Sequence, residues 1–296
     1  MKEPVENEMI KKQGKKKLAV TAAATVTAAT ALLLRVFYHG SYLRLLSSGI
    51  FFLCFAVSFV LSRPPRKIGF SAPALKPLFG AVLALTAAIL LTLPLLLLGD
   101  SLGAALSYTS YSPFAPENAP SFLSLLFTNA FLPMLLSEIT CRVFCISQLS
   151  DLTVKNSTAP LFPAVSASFL CGGLFALVQG EALRLPAFML FGTAACFVSI
   201  KLSSFRVTMV FSILLGGLLQ AYEGYTAVFG LAGSLPSISQ SVGMLLIFSA
   251  AAIPAWIFGM QLVTGAPRPR GRALWLPLLI ALLLLISGSA ITGYGG

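Results

Sequence analysis

An all-α bundle of about nine membrane-crossing helices is the fold this sequence predicts, and three observations predict it. Hydrophobic residues make up 57% of the chain and charged residues only 10%, where a soluble domain carries about 25% charged residues. The apolar residues gather into nine runs, several of them near the roughly 20 residues that a bilayer crossing needs. The short segments between the runs are rich in Lys, Arg, Pro or Gly, which is the punctuation expected of a polytopic chain. The mean hydropathy of +0.91 agrees.

The runs cover approximately residues 18–38, 42–62, 78–98, 121–149, 161–179, 186–202, 207–222, 239–264 and 274–292. Residues 1–17 form a basic segment with Lys11, Lys12, Lys15, Lys16 and Lys17 next to the first run, and such a cluster holds an N-terminus on the cytoplasmic side. No clear small-residue cleavage site precedes Arg35, so the first run is expected to remain as a helix, with a signal peptide as the alternative. With the second run it makes an N-terminal hairpin over 18–62, turning through His39 and Gly40 between Arg35 and Arg44. A re-entrant hairpin is the alternative there.

If every run then crosses once, the inner loops carry Arg63, Arg66, Lys67 and Lys76, then Lys155, then Lys201 and Arg206, then Arg268, Arg270 and Arg272. The outer loops carry mainly Asp100, Glu117, Glu181 and Glu223, with Arg184 close enough to the outer end to snorkel to headgroups. The expected orientation is therefore multi-pass in the cell membrane, N-terminus cytoplasmic and C-terminus outside. Residues 99–120 read as the longest loop, lying on the outer interface with Tyr108 and Tyr111. The last two runs, within 223–296, read as a C-terminal extension that anchors.

The charge balance of +11 does not point to nucleic acid, because the basic residues mark run ends instead of sharing a soluble face. The five cysteines, Cys54, Cys141, Cys145, Cys171 and Cys196, all lie in apolar runs, where thiols behave as small hydrophobes rather than a disulfide framework. Cys141 and Cys145 sit one turn apart beside Glu138, and a thiolate metal site there is the alternative to packing. No internal repeat supports the halves common in secondary transporters.

One run holds an acidic and a basic residue one turn apart. Glu138 and Arg142, at i and i+4, share a helical face and can pair. Each ion alone costs several kcal/mol at membrane depth, so such a pair faces the bundle interior and marks a candidate functional site; locking helix packing is the plainer role.

Around this pair the chain resembles the CPBP family of intramembrane proteases, the CAAX-protease and bacteriocin-processing group, over about residues 68–217. Ile68-Gly69-Phe70 and Leu75-Lys76-Pro77-Leu78-Phe79-Gly80 are similar to the family's lead-in to a helix. Ser137-Glu138 with Arg142 resembles its paired-glutamate EExxxR motif, with Ser137 in place of the first glutamate. Phe175 through Gln179 resembles FxxxH, with Gln179 where histidine belongs. Ser212 and Gly216 align best with the third motif, HxxxN/D.

The resemblance implies a membrane core over 63–222 built like that of a metal- or glutamate-dependent intramembrane endopeptidase. It also implies loss of activity, because both motif histidines are absent and the single histidine of the chain, His39, is remote in sequence. General acid-base groups contribute about 10² to 10⁴ each, and metal-bound water contributes further. No cofactor is expected; a divalent metal belongs only to an active member. The leading expectation is a pseudoenzyme whose Glu138, Arg142, Gln179 and Ser212 bind a membrane peptide, a lipidated tail or a partner helix. Two alternatives stand beside it: an endopeptidase using Glu138 in a reduced mechanism, and a small-solute transporter gated by the Glu138 and Arg142 pair.

Overall fold

A chain without water around its backbone must close its hydrogen bonds within each segment, and helices do so. The computed structural model describes residues 3–37, 43–62, 73–106, 124, 126–146, 148, 162–179, 182–228, 235–265 and 272–293. Nine α-helices build them, with no strand among the described residues. They are α1 (Glu3–Phe37), α2 (Leu43–Ser62), α3 (Leu75–Ala105), α4 (Leu132–Glu138), α5 (Phe162–Gln179), α6 (Leu185–Leu202), α7 (Arg206–Val228), α8 (Ile238–Thr264) and α9 (Arg272–Gly293). The short α4 continues on both sides into wide π-helical turns, Leu126–Phe131 before it and Ile139–Cys145 after it.

Among the described residues, five stretches are long and apolar enough to cross a membrane: Lys17–Leu34, Leu43–Leu61, Leu75–Ala105, Ala182–Leu202 and Ile238–Thr264. Shorter apolar helices occupy Ala164–Gln179, Arg206–Tyr222 and Leu276–Thr292. The protein is thus a helical membrane protein. Large apolar side chains such as Leu53, Val60, Phe169 and Leu282 are exposed on its outside, where hydrocarbon rather than water is the favourable neighbour.

The helices follow the hydropathy runs with several departures: α1 begins at Glu3 within the basic segment, α7 continues past its run to Val228, the fourth run is broken by π-helical turns, and α3 overruns its end. Residues 99–105 were expected to begin the longest loop, yet α3 carries them to Ala105. Their polar groups are satisfied inside the bundle. Asp100 pairs with Arg184, and the Ser101 hydroxyl lies 2.8 Å from Leu97 O, 2.8 Å from Pro236 O and 2.9 Å from Ser241 Oγ. The remainder of that expected loop, including Tyr108 and Tyr111, lies outside the described residues, as does the turn at His39 and Gly40.

Small residues bring helix backbones together. A Cβ on Gly259 of α8 would fall 2.7 Å from both Ala84 N and Gly80 O of α3, so only glycine fits that crossing. The buried core that results runs through Phe51 and Phe55 of α2, Leu85 of α3, Met134 of α4, Phe175 of α5 and Phe188 and Phe191 of α6. Pro94 and Pro254 sit inside α3 and α8, a placement that neighbouring helices make tolerable in membranes. At the start of α8, Ser237 and Gln240 form a reciprocal capping box: Gln240 N donates to Ser237 Oγ at 3.2 Å, and Ser237 N donates to Gln240 Oε1 at 3.0 Å.

Candidate functional site

The fourth helical segment runs through the middle of the bundle, packed against α2, α5 and α7. Its π-turns change the angular step between residues, and such turns recur where a helix must re-aim side chains. Glu138 closes α4 and Arg142 lies in the π-turn beyond it, both wholly buried. Arg142 Nη2 donates to Glu138 Oε1 at 2.6 Å and Arg142 Nε to Oε2 at 3.1 Å, a bidentate fork. The pairing expected from the i, i+4 spacing is present.

Two other helices complete the guanidinium's surroundings. Arg142 Nη1 donates to Gly192 O at 3.4 Å and meets Cys196 Sγ, both on α6. The Phe175 ring of α5 lies 5.9 Å from the guanidinium carbon, within reach of a cation–π attraction. Gly192 is needed for this approach, since a Cβ there would crowd Gly172 and Phe175 of α5 at 3.0 and 3.1 Å.

Ser212 reaches the carboxylate from α7. The turn that delivers it is tight: Ser203 takes a left-handed φ of 52° at the end of α6, and Ser204 N bonds back to Ser199 O at 3.3 Å. Ser199 Oγ and Thr208 Oγ1, 3.0 Å apart, then tie α6 to the first turn of α7. One turn further, Ser212 Oγ donates to Glu138 Oε1 at 2.5 Å. Gly216, the other aligned position, is packed against Met134 Cγ and Ala130 O, where it lets α7 approach α4.

Gln179 ends α5 and forms the second half of the site. Its Nε2 lies 2.6 Å from Ser137 Oγ, 2.9 Å from Ser48 Oγ and 3.1 Å from Pro133 O, while Ser137 Oγ donates to Ser48 Oγ at 3.1 Å. Gln179 Oε1 is buried with no partner among the described residues. Sequence reasoning missed Ser48, which lies in the N-terminal hairpin, far in sequence from Ser137 and Gln179.

The structure therefore brings Glu138, Arg142 and Ser212 into one hydrogen-bonded group. Gln179 stands beside it, bonded to the adjoining Ser137. Chemically the group is already filled. The Glu138 carboxylate accepts three donors, close to the roughly four that a carboxylate can take. The uncharged groups beside the ion pair are the Gln179 amide and the Ser212 hydroxyl. With its one carboxylate held by Arg142 and Ser212, this donor set does not suit a divalent metal.

The cysteines form a second layer around the arginine. Cys141, Cys145, Cys171 and Cys196 are all buried; Cys171 Sγ donates to Cys145 Sγ at 3.0 Å and Cys141 Sγ to Cys171 O at 3.6 Å. Among the described residues, no three metal-ligating side chains are placed to share an ion, so the thiols pack as small apolar groups.

A second ion pair escaped the sequence reading. Arg184, expected to snorkel, instead donates from Nε to Asp100 Oδ1 at 2.7 Å and from Nη2 to Oδ2 at 3.1 Å. The two are nearly buried, with side chains 8% and 11% exposed. They come from α3 and the short turn Ala182–Arg184 before α6. Nothing in the local pattern couples residues so far apart in the chain.

Comparison of the chain with family models, with curated proteins and with solved structures returns no match.

Proposed function

We propose that this membrane protein is a catalytically degenerate relative of the CPBP intramembrane proteases, one that uses the Glu138 site to hold a membrane peptide, a lipidated tail or a partner helix. The observation that supports it is the hydrogen bond from Ser212 to Glu138. Ser212 was singled out only as the position aligned with the third motif, and it lies 74 residues from Glu138 in sequence. Gln179, aligned with the second motif, meets Ser137, aligned with the first glutamate. These two contacts support the reading, because they join the aligned positions through side chains suited to binding rather than to hydrolysis.

A bidentate arginine and a filled carboxylate argue against a base that takes a proton from water. The buried Gln179 Oε1 supports a binding role, since an unpartnered carbonyl in a membrane interior is costly until a donor arrives. A peptide N–H or a polar residue on a neighbouring helix supplies such a donor. The proposed orientation follows the basic run ends: Lys17, Lys76, Lys201 and Arg206 toward the cytoplasm, Asp100 and Arg184 toward the outside.

Site-specific photocrosslinking in cells tests this. With a photoreactive residue at position 179 or 48, the proposal predicts a discrete adduct to a membrane polypeptide, weakened by Ser137→Ala. Crosslinks to lipid alone from both positions would contradict it.

A further inference from the structure

On the far side of α6 from Arg142 lies a cleft of about 570 Å³. Leu91 of α3, Phe169 of α5, Met189, Ala194 and Phe197 of α6, and Trp256 of α8 line it. Of its two hydroxyl-bearing residues, Ser168 donates to Ala164 O at 2.7 Å, and Thr193 Oγ1 packs beside Gly172, buried and without a hydrogen-bond partner among the described residues. Leu91, Ala194 and Trp256 belong to interior stretches of helices long enough to cross a membrane, so the medium at the cleft's mouth is hydrocarbon. Phe169, 56% exposed, stands at that mouth.

A void of this size left empty forfeits packing contacts along every wall. At this depth, a hydrocarbon chain is what can restore them. The cleft follows α6 from Met189 to Phe197, roughly 12 Å at 1.5 Å per residue. One turn further along the same helix, Lys201 Nζ stands 5.5 Å from the centre of the Phe197 ring. A cation therefore sits just beyond the polar end of an apolar slot, in the last turn of α6, at the height where a long basic side chain meets headgroups.

We propose that this cleft is a binding site for an anionic glycerophospholipid, its acyl chain lying between α3, α5, α6 and α8 and its phosphate on Lys201. The site is separate from the Glu138 group but shares a wall with it. Gly192 and Cys196 face Arg142, while their neighbours Thr193 and Phe197 face the lipid.

The test uses the full-length protein in phosphatidylcholine vesicles containing a phosphatidylglycerol probe with a diazirine near the end of one acyl chain. After photolysis, labelling of Phe169, Met189, Phe197 and Trp256 is expected to exceed, several-fold per residue, that of Leu282 and Leu285 on the exposed face of α9. Lys201→Glu should lower it several-fold and Lys201→Arg should preserve it, with neither disturbing the interior. Ala194→Phe, which fills the slot, should lower it too; if that variant melts early in detergent, Leu190→Phe takes its place. Labelling spread evenly over cleft and α9, or unchanged by Lys201→Glu, overturns the proposal.

Discussion

Among the described residues, the protein holds two interior ion pairs that differ in almost every respect but charge. Glu138 and Arg142 lie one turn apart on one helical segment and are wholly buried, with Ser212, Gly192, Cys196 and Phe175 closing around them. Asp100 and Arg184 lie 84 residues apart, join α3 to the turn before α6, and keep a margin of exposure. The first pair is local and its helix neighbours converge on it. The second is itself the connection between elements. A buried pair of the first kind adds little net stability, yet breaking it exposes an uncompensated charge to a dry interior.

That difference sets the order of expected effects. Glu138→Ala leaves Arg142 unpaired in the core and should cost the most, about 3–5 kcal/mol, measured as loss of thermal stability in detergent. The double variant Glu138→Leu with Arg142→Met should recover most of that loss; failure to recover would mean the pair holds the fold by more than mutual neutralisation. Asp100→Ala should cost less, about 1–3 kcal/mol, the range for orphaning one partner of a nearly buried bond. A larger loss than for Glu138→Ala would invert the comparison.

Packing between the regions gives a third test. Gly259→Ala drives a methyl into the α3 backbone at Gly80 and Ala84 and should cost about 1–3 kcal/mol by overpacking. A neutral outcome in the same melting assay would show that α8 is free to slide on α3. The smallest effect is expected for Gln179→Leu, about 0.5–1.5 kcal/mol. It removes the bonds to Ser48 and Ser137 but also removes an unpartnered buried carbonyl.

The two pairs also mark where the sequence could be read and where it could not. Hydropathy located the helices because the bilayer imposes one length and one polarity on every crossing. The i, i+4 spacing revealed Glu138 and Arg142 because helix geometry turns that interval into contact. Ser212 and Gln179 came from motif resemblance, and the structure places one on the carboxylate and the other beside it. Asp100, Arg184 and Ser48 gave no comparable signal, because what brings each to its partner is the packing of helices distant in sequence. The same reason hid the helical character of residues 99–105, whose polar composition reads as a loop until Arg184 and Ser241 are seen opposite them.

The most direct measurement is a quantitative comparison of membrane-protein termini in cells expressing the native chain, Glu138→Gln, or neither, at matched protein levels. A noncatalytic Glu138 site predicts the same set of termini in all three. New termini present with the native chain and lost in Glu138→Gln would establish proteolysis and contradict the account.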